Sequence, residues 1–244
     1  MRQYNSTFLS KNLVAIAIAL MVINAAVIFF GSIEHSRLAR MLTILFVTIF
    51  FYLENKVNNI WILAVLVLFC IRDIFFQFYE QSWGYKGYLI FAILAYATLL
   101  FERLPKIRDL KITPGFMVIT TALIAANTYT LYSIMDMLSY EFNDALEVGL
   151  FYFFGAVMMV MAVVAIGYNN KFNSNRSLLY IYLVFAFIFA DVAALLAYYF
   201  GVPEFYYLDR LLVITGVLLL VNYGSNYKSA KEEFYQYEMI DKKL

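Results

Sequence analysis

The chain has 244 residues, 64% of them hydrophobic and 14% charged, whereas soluble domains run nearer about 45–50% apolar and about 25% charged. A net charge of +1 gives no case for a nucleic-acid partner. A single cysteine, Cys70, and a single histidine, His35, exclude a disulfide framework within one chain and any thiol-based or histidine-rich metal or haem site, so no cofactor is expected.

Apolar runs long enough to cross a bilayer as helices recur at 13–30, 38–53, 60–78, 85–101, 115–134, 146–167, 178–200 and 206–223. They predict an all-α bundle of eight transmembrane helices over 1–224, followed by a short tail over 225–244. The first run is longer than a secretory signal core and no cleavage site follows it, which marks a retained helix. Pro105, Pro114 and Pro203 all fall between runs, where a helix tolerates them. Two breaks rest on short polar stretches, 31–37 and 81–84. In the tail, charges alternate with Phe234, Tyr235, Tyr237 and Met239, a pattern that suits a helix lying at the membrane surface.

The basic residues orient these spans. Arg37, Arg40, Lys86 and Arg210 fall on one side, and Arg72 lies inside the third run. The other thirteen of the 18 Lys and Arg fall on the opposite side. Positive charge accumulates in the cytoplasm, so both termini are expected there.

Few polar side chains interrupt the spans. A charge at mid-membrane costs about 2.5–3.5 kcal/mol even on the lenient insertion scale, so each requires a reason. Arg72, Asp73 and Asp191 are the three charges well inside the runs. Asp73 and Asp191 each stand thirteen residues from the start of their run, which at 1.5 Å per residue is about 20 Å from the inner boundary. Asn24 and Asn127 lie at nearly the same level on the first and fifth runs. Amides at such positions serve as interhelical hydrogen-bonding groups or as polar contacts to a ligand. Two carboxylates at one depth are an expensive choice for adhesion alone, and they fit an acid/base pair in a polar cavity. Adjacent helical residues diverge by about 100°, so Arg72 is expected to point away from the partner of Asp73, either snorkelling outward or pairing with Asp209. Gln77, Glu147 and the Asp209–Arg210 pair lie at the outer helix ends, where they either rim a cavity or, the favoured reading, are solvated ends. Tyr129, Tyr152 and Tyr198 are the aromatic candidates for a cavity wall. In the seventh run Ala186, Ala190 and Ala194 recur at helical spacing, so a neighbouring helix can approach closely and bury Asp191.

Eight spans with cytoplasmic ends and single aspartates in the third and seventh helices resemble the YhhN-type lysoplasmalogenase-like membrane proteins. The motif around the first aspartate is Cys70-Ile71-Arg72-Asp73-Ile74, with Arg where the family has Gly. That around the second is Phe187-Ile188-Phe189-Ala190-Asp191, with Ala where the family has Ser. The family's histidine in the fourth helix is absent, since positions 91–96 read FAILAY, and the Tyr-Gln of its last helix is replaced within 215–222 (TGVLLLVN). The Lys-Pro of its second helix has only Arg37-Leu38-Ala39-Arg40 as a counterpart. The resemblance implies a bacterial inner-membrane protein that hydrolyses the vinyl-ether bond of a lysophospholipid within the bilayer. On that reading Asp73 and Asp191 are the catalytic residues, and the polar groups placed by the span reading, Asn24, Arg72, Asn127 and Tyr129, are the expected substrate contacts, with no metal. Two other classes use the same residues. In a non-enzymatic lipid- or ligand-binding module or assembly subunit, the aspartates hold helices together. In an ion-coupled carrier they bind the ion.

Overall fold

A computed structural model describes residues 11–55, 59–107, 114–138 and 142–225. Among these residues every regular element is helical: α1 (Lys11–Phe30), α2 (Ile33–Asn55), α3 (Ile60–Phe76), α4 (Ser82–Arg103), α5 (Pro114–Leu138), α6 (Ala145–Phe172), α7 (Asn175–Tyr199) and α8 (Glu204–Ser225), with a short 3-10 turn at Leu104–Ile107. Each predicted run becomes one helix. The tail read as a surface helix, from position 226 onward, lies outside the described residues.

Both weak breaks are genuine chain reversals. At the first, Ser32 Oγ lies 2.7 Å from His35 Nδ1 and caps the start of α2. At the second, Phe78 N donates to Phe75 O at 3.0 Å and Gln81 N to Phe78 O at 2.9 Å, a tight turn between α3 and α4. The main difference from the sequence reading is the start of α2, at Ile33 instead of 38, which takes Arg37 and Arg40 into the helix. Local capping marks the starts of α6 and α7. Asp144 accepts the Glu147 backbone N–H at 3.0 Å at the start of α6. Ser174 and Ser177 form a reciprocal capping box at the start of α7. Asn173, with φ of 43°, makes the left-handed turn between those two helices.

Six helices are long and apolar enough to cross a membrane: α1, α2, α4, α5, α6 and α7. The remaining two, α3 and α8, carry Arg72–Asp73 and Asp209–Arg210, and each buries one face against other helices while Val67 and Ile74 of α3 and Leu208 and Leu211 of α8 stay exposed. Leu66 and Phe69 of α3 and Val217 and Leu220 of α8 are buried. α8 packs against α1, α2, α3 and α7, while α5 packs chiefly against α6. α1 and α5 turn Val22, Phe29, Val118 and Met117 outward. Exposed apolar side chains cost nothing against lipid, and close packing between helices then rests on small residues. Of the spaced alanines of α7, Ala186 and Ala190 are buried, with Ala193 and Ala197 beside them, whereas Ala194 is only partly buried and lines a cavity.

Glycines let two of these interfaces close. A Cβ at Gly216 on α8 meets the Phe187 ring of α7 at 2.8 Å, and one at Gly87 on α4 meets the Phe75 ring of α3 at 2.1 Å. The Phe75 ring cannot retreat freely, because it stacks on Phe91 with centroids 5.3 Å apart and meets Trp83 edge-on at 6.1 Å. Gly87→Ala is therefore expected to destabilise the bundle by about 1–3 kcal/mol, the usual cost of overpacking. An equilibrium unfolding midpoint in mixed detergent measures it, and an unshifted midpoint would show that the α3–α4 interface has slack.

Candidate functional site

Helices α2, α3, α7 and α8 bring six charged side chains into one alternating chain: Asp191, Arg72, Asp73, Arg40, Asp209, Arg210. Arg72 Nη1 lies 3.8 Å from Asp191 Oδ1, and Arg72 Nε donates to Asp73 Oδ1 at 3.0 Å. Arg40 grips Asp73 with two bonds of 2.9 Å, Nε to Oδ2 and Nη2 to Oδ1. Arg40 Nη1 is 3.6 Å from Asp209 Oδ2, and Arg210 donates to that same Asp209 oxygen. Five of the six residues are buried outright, and Asp191 exposes only 8% of its side chain.

The two ends of the chain are finished with neutral groups of matching polarity. At the anionic end, the hydroxyls of Tyr88 and Tyr96 on α4 donate to Asp191, the first at 3.4 Å. At the cationic end, Arg210 Nη2 donates to Ser36 Oγ at 2.9 Å and to Ser36 O at 3.2 Å. Aromatic faces cover the interior cations, Arg40 over Phe76 at 4.0 Å and Arg72 over Phe69 at 4.7 Å. Three arginines and three aspartates sum to zero, which is what burial in a low-dielectric interior demands.

Several sequence expectations change here. Arg72 neither snorkels outward nor pairs with Asp209. Its Cα–Cβ bond diverges from that of Asp73, but the long side chain curls back, bonds Asp73 and reaches Asp191. Asp209 and Arg210 are buried within the network and are not solvated ends. Glu147 is buried too, accepting from Ser82 Oγ at 2.5 Å and from Asn143 N at 2.8 Å. Asn24 is buried on α1 and donates to Thr43 Oγ1 of α2 at 2.9 Å, an interhelical bond. Asn127 reaches Gly155 O of α6 at 3.5 Å. Tyr129 is 73% exposed on peripheral α5. The structure thus gathers Asp73, Asp191 and Arg72 and leaves Asn24, Asn127 and Tyr129 apart from them.

Beside the anionic end lies a cavity of about 40 Å3 between α3, α4, α6 and α7, lined by Phe76, Tyr79, Tyr85, Tyr88, Phe151, Phe154, Asp191 and Tyr198 among others. One water needs about 10–15 Å3 on this measure, so there is room for a few. Of the described residues that line it, Asp191 alone carries a charge. Asp73, fully buried, is not among them.

The sequence reading passed over Arg40, Tyr88 and Tyr96. Tyr85, Tyr88 and Tyr96 share one face of α4, and that spacing was the available signal. Tyr96 closes the FAILAY segment, where the family resemblance expects a histidine. Arg40 sits on the buried stripe Arg37, Arg40, Ile44, Val47, Phe51 of α2, but the apolar residues around it on all sides conceal that stripe.

At the cavity's outer margin Arg37 and Glu80 form a forked pair, with bonds of 2.9 and 2.6 Å. The Arg37 hydrogen bonds hold the Glu80 carboxyl below the usual carboxylate range. Likewise, Lys86, 2.5 Å from Asp144, holds that carboxyl low.

Comparison with protein-family models, with curated proteins and with solved structures finds no match for this chain.

Two outcomes follow from this geometry. Removing one partner of a buried pair strands a charge, at a cost of about 3–5 kcal/mol. Arg40→Leu and Asp73→Leu should each destabilise the bundle on that scale. The double variant should cost less than either, because two complete pairs remain, Arg72–Asp191 and Asp209–Arg210. A double-mutant cycle of unfolding free energies measures this, and additive losses would refute the alternating-chain account. For Glu80 the folded pKa lies below the unfolded value of about 4.3. Its clasp is complete above that value and is lost as pH falls through the folded pKa. Hydrogen exchange around residues 77–81 should be slow at pH 7 and accelerate below about pH 4 relative to Glu80→Gln, in which the step is absent.

Proposed function

We propose that the chain is an integral membrane hydrolase of single-chain ether phospholipids, similar to the YhhN-type lysoplasmalogenases, with eight spans and both termini in the cytoplasm of a bacterial inner membrane. One observation carries this reading: among the described residues Asp191 is the charged group at a small cavity whose other walls are apolar and mostly aromatic. Vinyl-ether hydrolysis requires an acid, a water and a surface that tolerates a cationic transition state, and these three suffice.

In this mechanism Asp191, a carboxylate in the empty bundle, takes up a proton as the lipid fills the cavity and gives it to the vinyl carbon. The oxocarbenium ion that forms lies against the rings of Tyr85, Tyr88 and Phe154, whose faces attract positive charge. Arg72, 3.8 Å away, steadies the carboxylate left behind. That carboxylate takes a proton from the water that adds to the cation. The resulting hemiacetal collapses to a fatty aldehyde and a glycerol hydroxyl, with Asp191 restored. Tyr88 and Tyr96 orient the acid. Asp73, with both oxygens committed to guanidinium donors, anchors Arg72 and does not meet substrate.

A second reading, a non-enzymatic lipid-binding module, draws on the same tight pairing of Asp73 and on a cavity too small for a lipid without helix separation. Aldehyde release from a lysoplasmalogen in detergent micelles separates the two. Asp191→Asn is expected to lower the rate by about 10²–10⁴-fold with folding retained. Undiminished release from that variant would refute the mechanism. No release by the wild-type chain from any single-chain vinyl ether would favour the binding module.

A further inference from the structure

The Arg37–Glu80 pair is unequal in a way that points to a ligand. The Arg37 side chain is only 3% exposed, whereas that of Glu80 is 57% exposed. The guanidinium lies over two rings, Phe76 at 5.0 Å and Tyr198 at 5.4 Å, and both rings line the Asp191 cavity. Its Nε is buried and has no hydrogen-bond partner among the described residues. Glu80 approaches from the α3–α4 turn, and swinging it into water costs an exposed carboxylate little. The arginine left behind is buried and requires another anion. A forked guanidinium suits a planar or tetrahedral oxyanion that accepts two bonds at once.

The spacing also fits. Tyr198 is seven residues beyond Asp191 on α7, which is two helical turns, or about 10 Å. That distance is comparable to an extended glycerophosphate measured from its phosphate to the first carbons of the ether-linked chain. We propose that Arg37 is the head-group site of this cavity, binding the phosphate of a single-chain phospholipid, with Glu80 occupying the place until the lipid displaces it. This assignment rests on reading the Asp191 cavity as the lipid site. It adds which side chain holds the phosphate and that the empty site is held closed by an internal carboxylate.

The test reads binding without turnover. The full-length chain in detergent micelles is titrated with a single-chain lysophosphatidylcholine, with a neutral glycerol monoether of the same chain length, and with inorganic phosphate, following the thermal unfolding midpoint. The wild type should bind the phospholipid at least ~10-fold more tightly than the neutral ether, the step expected of one charge-assisted contact. Glu80→Gln, which alters an exposed side chain, should tighten phospholipid binding several-fold and leave the neutral ether unchanged. Arg37→Gln should erase the preference, and Arg37→Lys should keep part of it. Equal binding of the two lipids by the wild type, or no gain in Glu80→Gln, would overturn the proposal. So would inorganic phosphate binding as tightly as the phospholipid. Asp191→Asn should retain the Arg37-dependent preference. A chain that shows this preference but releases no aldehyde therefore sinks the hydrolase reading alone.

Discussion

Alternation of charge along Asp191, Arg72, Asp73, Arg40, Asp209 and Arg210 is the constraint on which the rest of the bundle depends. Each interior charge has an opposite charge on both sides, and each terminal one ends in neutral groups of the right polarity. Moving α2, α3 or α7 by a single helical turn, about 5.4 Å, would strand at least one buried ion, and moving α8 would part Asp209 from Arg40 and Arg210 from Ser36. The network therefore sets the register of four helices that are otherwise apolar and free to slide. Hydrophobic packing alone cannot do this in lipid, where hydrocarbon outside the protein is as good a solvent as the side chains within it.

Position in the chain of charges also assigns the work. Asp73 is interior, gripped by Arg40 through both oxygens and touched by Arg72, and it meets no cavity. Asp191 is terminal, holds one arginine at 3.8 Å, and borders space for water. Two aspartates at equal depth thus have unlike surroundings, one paired through both oxygens and the other bordering space for water. A symmetric acid/base pair would require both carboxylates to face one void, and the arginines stand between them.

The legible part of this architecture is the part written in residue type. Long apolar runs gave the eight helices. Equal depth picked out Asp73 and Asp191, and the alanine spacing on α7 put Asp191 against protein. What stayed hidden is rotational. α1, α6 and α8 are apolar on every side, and α2 differs only near its start, so no stripe marks the inward face. Arg37, Arg40, Asp209 and Arg210 stand near helix ends, where an inward and an outward orientation have the same sequence signature. The partners of Arg72 do not follow from backbone direction, because a guanidinium reaches well past its own Cβ. Tyr88 and Tyr96 belong to a chain with 21 tyrosines, so membership in a site is not visible until a partner is.

If the cavity takes a lipid, as the proposed function requires, the charge chain also determines which wall can yield to it. A cavity of about 40 Å3 does not hold an acyl chain, so helices must separate. Parting α2, α3 or α8 from one another, or α7 from α3, breaks ion pairs in a medium that replaces none of them. The α4 and α6 walls contribute neutral groups, the hydroxyls of Tyr88 and Tyr96 and the rings of Phe151 and Phe154. α6 is tied to α7 by the Asn173–Ser174 turn at the end remote from Glu80, which leaves the Glu80 end as the one that can spread. Opening between α6 and α7 at that end exposes the cavity to the bilayer and breaks no ion pair of the six-residue chain. The lipid's hydrocarbon then replaces the aromatic contacts that separation removes. A rigid electrostatic wall facing a compliant apolar one is how a single small bundle can hold Asp191 in place and still admit a long chain beside it.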